Sequence, residues 1–304
     1  MSISKAYIIL AHTNGDQLCK MIERLDDGHS FFFLHIDKKA SLEDFKVVVN
    51  RFTEKIKIVE RVAIDWGGFG LINATLNGMR AVRDHKQSFT WVVLLSGQDY
   101  PIKPNDHINR FFLETAHHAF FDYTMLPDYH RWSPRGGYYR IDKYFLGTRP
   151  VEKFAAKGLN FLSNFFRFVK RPRLRKLKPF AGSQWWTMNE DTLHFVLDYI
   201  DKHPRYYAFH KFTFAADEVF FHTIVLNDEL RKANIQNDSL RFLIWPDPST
   251  PHPEILTSYD LDNITRSEKL FARKFDFAHD ESVLDLVDEH CLQYRLSGTG
   301  QLKC

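Results

Sequence analysis

Four short apolar runs alternate with stretches of helical spacing across the first hundred residues, and few folds accept that rhythm. Apolar character predicts strands over 7–11, 31–36, 56–59 and 91–95. Helical spacing predicts helices over 16–25, 41–49 and 71–82, the second capped by Ser41 with Glu43 in its first turn. Strands that are apolar along their whole length are buried on both faces. The alternation therefore argues for an α/β fold with a mostly parallel central sheet flanked by helices. Ligands of such sheets bind beyond the carboxyl ends of the strands. His12, Asp37, Trp66 and the run Ser96 to Asp99 fall at or near those ends, where a nucleotide would sit. Further on, the pattern predicts helices over 190–200, 218–226, 260–270 and 282–295, a strand over 240–245 and a short strand or turn over 271–275, with an extended proline loop at 246–253.

At 304 residues, 44% hydrophobic and 26% charged, the chain is an ordinary globular protein with room for one large domain. A net charge of +3 is too small to indicate a nucleic-acid partner. Aromatic residues reach 15%, enough to fill a core and also to line a groove for a sugar or base. Cys19, Cys291 and Cys304 show neither a pairing pattern nor metal spacing, which favours a reducing compartment. The apolar run at 6–11 is too short for a secretion signal or a bilayer span, so a cytoplasmic setting is expected.

Residues 115–150 are loop-rich and aromatic. From Arg149 to Lys178, ten Lys or Arg residues face a single acid, Glu152. Phe154, Leu159, Phe161, Leu162, Phe165, Phe166 and Val169 recur there at roughly helical spacing. A basic amphipathic helix suits peripheral contact with an anionic membrane, or an anionic acceptor. A solvated helix packing its apolar side on the domain explains the same pattern.

Two constellations carry candidate chemistry. Asp217-Glu218 sits at the mouth of an apolar run, where a raised pKa would suit one carboxylate to take a proton from a hydroxyl. The same acids also fit the first turn of a helix, which favours negative charge. Gly182-Ser183-Gln184-Trp185-Trp186 offers polar groups and aromatic faces for a sugar. The glycine-rich phosphate fingerprints are absent. The lone Asp260-Leu261-Asp262 reads as a cap with a first-turn acid, and the alternative is that Asp260 and Asp262 hold a metal. Arg273-Lys274, flanked by Phe271 and Phe275, is the best candidate for neutralising a diphosphate without a metal.

The ordered segments resemble the Core-2/I-branching enzyme and peptide xylosyltransferase family of glycosyltransferases. They are Tyr7 to His12, His35 to Lys39, Ile64 to Gly68, Leu95 to Lys103, Gly182 to Trp186, Asp217-Glu218 and Leu270 to Asp276. The resemblance implies a GT-A-like fold, a UDP-sugar donor such as UDP-N-acetylglucosamine or UDP-xylose, inversion at the anomeric carbon, a glycan acceptor and no metal or other cofactor. It implies Glu218 as general base with Asp217 beside it, and Arg273 and Lys274 on the diphosphate. Leu10, Ala11, His12, Asp37, Ile64, Asp65 and Trp66 would bind the nucleotide. Asp99, Ser183, Gln184, Trp185 and Trp186 would line the donor and acceptor cleft. Residues 1–114 become a nucleotide-binding half, 115–180 an insertion, and 181–304 an acceptor and catalytic half of one domain. The branching enzymes add an upstream arginine at the diphosphate, which this chain lacks near Thr250 to Pro253. His252 and Arg266 are the candidates to replace it. Animal members carry a membrane anchor and several disulfides. This chain looks like a bacterial cytoplasmic relative, serving surface polysaccharide or lipooligosaccharide assembly, with an acceptor that could be lipid-linked.

Overall fold

The computed structural model describes residues 3–293 apart from 173, 175, 248, 249 and 251. Cys304, the end of the helix expected over 282–295, Arg173 and Arg175 of the basic segment, and Pro248, Ser249 and Pro251 of the proline loop lie outside the described residues.

The strands are β1 (Lys5–Ala11), β2 (Ser30–Ile36), β3 (Ile56–Ile58), β4 (Trp91–Ser96), β5 (Asp99–Pro101), β6 (Ala119–Phe121), β7 (Tyr123–Met125), β8 (Phe180–Gly182), β9 (Thr187–Asn189), β10 (Ile235–Asn237), β11 (Arg241–Phe242) and β12 (Phe271–Arg273). The central sheet has seven strands in the order β10-β6-β9-β4-β1-β2-β3. Neighbours are parallel except around β9, which runs antiparallel to both β4 and β6. This is the mixed, mostly parallel architecture that the sequence predicts.

The period of two along each strand divides the core between two faces. Tyr7, Ile9, Phe32, Leu34, Val93 and Leu95 point to one face, which the helices Gly15–Leu25 and Val283–His290 cover with Leu18, Ile22, Leu284 and Val287. Ala6, Ile8, Phe33, Val92 and Leu94 point to the other, covered by Gly70–Arg83, Glu190–Lys202 and Phe220–Val225. Each fully buried Phe or Leu adds about 1.5–3 kcal/mol. The helix Gly70–Arg83 lies close on β1: a Cβ at Gly78 would stand 2.5 Å from Ile8 Cγ2, so only glycine fits.

Several expected elements are shorter. The helix expected over 41–49 is a tight 3-10 turn, Glu43–Phe45, followed by the helix Lys46–Arg51; Ser41 Oγ accepts the Glu43 N–H at 3.2 Å. The strand expected over 240–245 keeps only Arg241–Phe242, and the helix expected over 260–270 stops at Arg266. Ser267 turns extended there, and Leu270 then bonds the Leu240 carbonyl at 3.1 Å, leading into β12. The region expected to be loops, 115–150, contributes β6 and β7.

A second sheet, β11-β12-β5, positions the candidate cations. Phe271 and Ala272 are fully buried and drive β12 against β5, which sets Arg273 directly opposite Asp99. Residues far apart in sequence thus meet just past the end of β4.

Candidate functional site

The carboxyl ends of β1, β2 and β4 share one edge, with Leu10 level with His35 and Ser96. The loops beyond them are laced to β1 by backbone: Asp37 N–H donates to Ala11 O at 2.8 Å and Gly97 N–H to Leu10 O at 3.0 Å. Leu10 and Ala11, expected to bind the nucleotide, are buried, and their carbonyls hold these loops. Arg61 fixes the loop after β2, donating to the carbonyls of Ile36, Asp37 and Ala40 at 2.9, 2.8 and 2.6 Å. Asp37 is nearly buried and its Oδ1 accepts the Lys39 N–H at 2.9 Å. Lys39 Nζ reaches Ile64 O at 2.6 Å and Asp65 Oδ1 at 3.0 Å, joining the two loops expected to hold the nucleotide.

On the other side of β4, Arg273 Nη1 donates to Ser96 Oγ at 3.2 Å and stands 3.7 Å from Asp99 Oδ1. Its guanidinium lies 4.3 Å over the Trp185 ring, a cation–π contact. Burial, against the pull of Asp99, lowers the pKa of Arg273. Asp99 is wholly buried and accepts the Ser96 N–H. It supports Arg273 from beneath rather than lining a cleft. A second buried cation, Arg241, donates to Leu94 O and Ser239 O. Lys274 is half-buried. Its charge, together with burial, helps hold both His12 and His252 below the ordinary imidazole range. His252 has its ring 6.0 Å from that of Trp66, whereas Arg266 is exposed at the end of the helix Leu261–Arg266.

The acid pair occupies a 3-10 turn, Ala216–Glu218, just ahead of Phe220–Val225 rather than inside one continuous helix. Ala215 starts it in the left-handed region, φ 46°, and its N–H donates to Gly67 O at 2.8 Å. Gly67 itself has φ +69°, and a Cβ there would stand 2.7 Å from the Phe214 ring. Glu218 Oε2 lies 2.9 Å from Arg140 Nη1 and keeps 31% of its side chain exposed. Burial raises the Glu218 pKa, while Arg140 and Arg131 pull it back. Burial, reinforced by the Glu218 charge, pushes Asp217 up to about 7.

Two lines of contact start from the arginines that pull on the Glu218 pKa, Arg140 and Arg131, the first ending at His252 and the second at Arg273. One passes from Arg140 to the Phe214 ring at 5.7 Å, then to Trp66 at 5.4 Å and His252 at 6.0 Å. The other passes from Arg131, which grips Asp122, through the Asp122 carbonyl to the Ser183 N–H at 3.2 Å, then to Trp185 and Arg273. Ser183 and Gln184 are half-buried along it. Trp186 is not at this edge. It is fully buried between Phe121 and Phe221. Arg140, Arg131, Asp122, Arg61 and Arg241 were not singled out from the sequence. Tyr129-His130-Arg131-Trp132 was the one visible signal, an aromatic run containing a cation.

Among the described residues, no group of three or more His, Cys, Asp or Glu side chains could hold a metal ion. Asp260 Oδ2 accepts the Thr257 N–H at 2.8 Å, so that carboxylate caps a turn.

The model of the Core-2/I-Branching enzyme family matches residues 5–265. Beta-glucuronosyltransferase GlcAT14A of Arabidopsis thaliana is 24% identical over 94% of this chain and 64% of its own length. Xylosyltransferase 1 of Homo sapiens is 22% identical over 98% of this chain and 31% of its own length. The chain therefore spans less than two thirds of these relatives. Core-mannan synthase A from Aspergillus fumigatus, solved in a Mn/GDP form, aligns with a TM-score of 0.37 at 12% identity, covering 95% of this chain and 85% of that one. With its carboxyl-edge loops, its cation pair and a family match that runs through the acid turn, the chain belongs to the Core-2/I-branching enzyme family.

Proposed function

We propose that this chain is an inverting glycosyltransferase that moves a sugar from a UDP-sugar to a glycan hydroxyl without a metal ion. The observation that carries the reading is a partly exposed carboxylate of raised pKa, Glu218, in a chain that also holds the cation Arg273 against Ser96, Asp99 and Trp185, with Lys274 next to it.

In this reaction the acceptor hydroxyl gives its proton to Glu218 while its oxygen attacks the anomeric carbon. The bond from that carbon to the diphosphate oxygen breaks on the opposite side, and UDP leaves against Arg273 and Lys274. Arg273, already held by Asp99, Ser96 and Trp185, stabilises that developing charge without reorganising. His252 supplies the further contact that an arginine would make. Trp66, 57% exposed, offers a face for stacking. The relatives are named for glucuronosyl and xylosyl transfer, so glucuronic acid joins xylose and N-acetylglucosamine as a donor sugar to test. The proposed setting is bacterial surface polysaccharide or lipooligosaccharide assembly on a lipid-linked acceptor, at the cytoplasmic face of a membrane.

A hydrolysis and transfer screen across UDP-sugars, run with and without EDTA, tests the reading. Release of UDP from one of these donors, undiminished by chelation, supports it. A strict manganese requirement overturns the metal-free mechanism, and absence of UDP binding overturns the donor assignment.

A further inference from the structure

We infer that the helix Pro150–Phe165 is a membrane-docking element that lays a phenylalanine face, edged by lysines, onto an anionic lipid surface. The inference deepens the proposed membrane setting and names the part that meets the lipid. The helix is mounted inside out. The residues it turns to the protein body are Glu152, Ala156, Leu159, Asn160 and Ser163, which form one stripe at helical spacing. Ser163 is the buried one, and Asn160 exchanges hydrogen bonds of 2.8 and 2.9 Å with the Tyr144 backbone. The opposite side is apolar and bare: Val151 is 79% exposed, Phe154 81%, Phe161 62%, Leu162 44% and Phe165 68%. The chain continues outward with Phe168, 87% exposed. A contiguous apolar surface of this kind marks an interaction site, because leaving it in water is unfavourable.

Charge selects the occupant. Lys153 and Lys157 stand one turn apart on the edge of the phenylalanine row, both exposed, and Arg167 and Lys170 follow them. The lone acid, Glu152, is already paired with Arg149, at 2.7 Å from its Nε. The patch therefore presents positive charge without compensation. A second copy of this chain would set these like charges against each other. A nucleic acid would meet a row of phenylalanines uninterrupted by a base. An anionic bilayer satisfies both features, taking the rings into its interface and the lysines at its headgroups.

The segment is also fixed to the candidate site. Arg171 donates to the carbonyls of Arg140, Lys143 and Phe209 at 2.9, 3.0 and 2.7 Å, and its guanidinium sits 4.0 Å over the Phe209 ring. Arg140 in turn holds Glu218. On the reading of Glu218 as base, docking would present the acceptor side of the site to the lipid.

Vesicle co-sedimentation of the whole chain tests this, with phosphatidylcholine vesicles and with vesicles in which part of the phosphatidylcholine is replaced by phosphatidylglycerol. The expected result is binding to the anionic vesicles, at least about tenfold tighter than to the neutral ones and weakened by high salt. Phe154→Glu with Phe165→Glu, and separately Lys153→Glu with Lys157→Glu, should each cut that binding at least about tenfold while leaving UDP affinity unchanged. The inference is overturned if the wild-type chain ignores anionic vesicles, if the phenylalanine variants bind them equally, or if light scattering shows a dimer that those variants dissolve. Vesicle binding without sugar transfer would sink the enzymatic reading alone. Transfer to a soluble acceptor without vesicle binding would sink the docking alone.

Discussion

Arg140 Nη1 lies 2.9 Å from Glu218 Oε2, so the proposed base rests against a cation that is itself buried beneath Trp132, Tyr139 and Phe214. Two opposed effects act on one carboxyl group. Burial raises its pKa and makes it a stronger base, while Arg140 keeps enough of it ionised to accept a proton.

The pH profile should report this balance. Transfer needs Glu218 ionised, so the rate falls as pH drops through a pKa above the ordinary carboxylate value of 4.5. Arg140→Gln removes a lowering influence, and the acid limb of kcat/KM should move to higher pH. A limb that stays in place would show that Arg140 does not tune the base.

Glu218→Gln keeps the shape of the side chain and removes the proton acceptor. Transfer should fall by about 100-fold or more, while calorimetry with UDP finds near-wild-type affinity. Activity equal to wild type would take Glu218 out of the mechanism.

The two cations should separate by burial. Lys274→Ala should weaken UDP binding by about tenfold with little change in melting temperature. Arg273→Ala should weaken UDP binding and also lower the melting temperature, because Asp99 is wholly buried and loses the charge facing it. Unchanged UDP affinity in both variants would end the cation-pair proposal.

Asp217 gives a stability prediction whose sign is fixed. Its folded pKa of about 7 lies above the ordinary 3.8, so the folded chain binds more protons between those values. That contribution is fully present below about pH 4 and is lost as pH rises through about 7. Asp217→Asn is neutral at every pH. It should raise stability over wild type at pH 8 by on the order of a few kcal/mol, with the advantage gone near pH 4. Parallel melting curves for the two proteins at both pH values would refute the assignment.

Much of the scaffold was legible because β1, β2 and β4 are continuous apolar runs, and the residues just past them had to lie at one edge. The strands β6, β8, β9 and β10 have three residues each, too few to show a period. Glu218 was visible as a carboxylate opening an apolar run. Its partner Arg140 was not, since only the folded chain brings those segments together. Trp185 and Trp186 look alike in sequence and both are buried, and only the folded chain shows that Trp185 carries Arg273 over its ring while Trp186 sits between Phe121 and Phe221.

The hydrogen bond from Ala215 to the Gly67 carbonyl has a mechanical consequence. Whatever shifts the loop bearing Trp66 drags the turn bearing Glu218 with it, so a donor settling against the first would adjust the aim of the second.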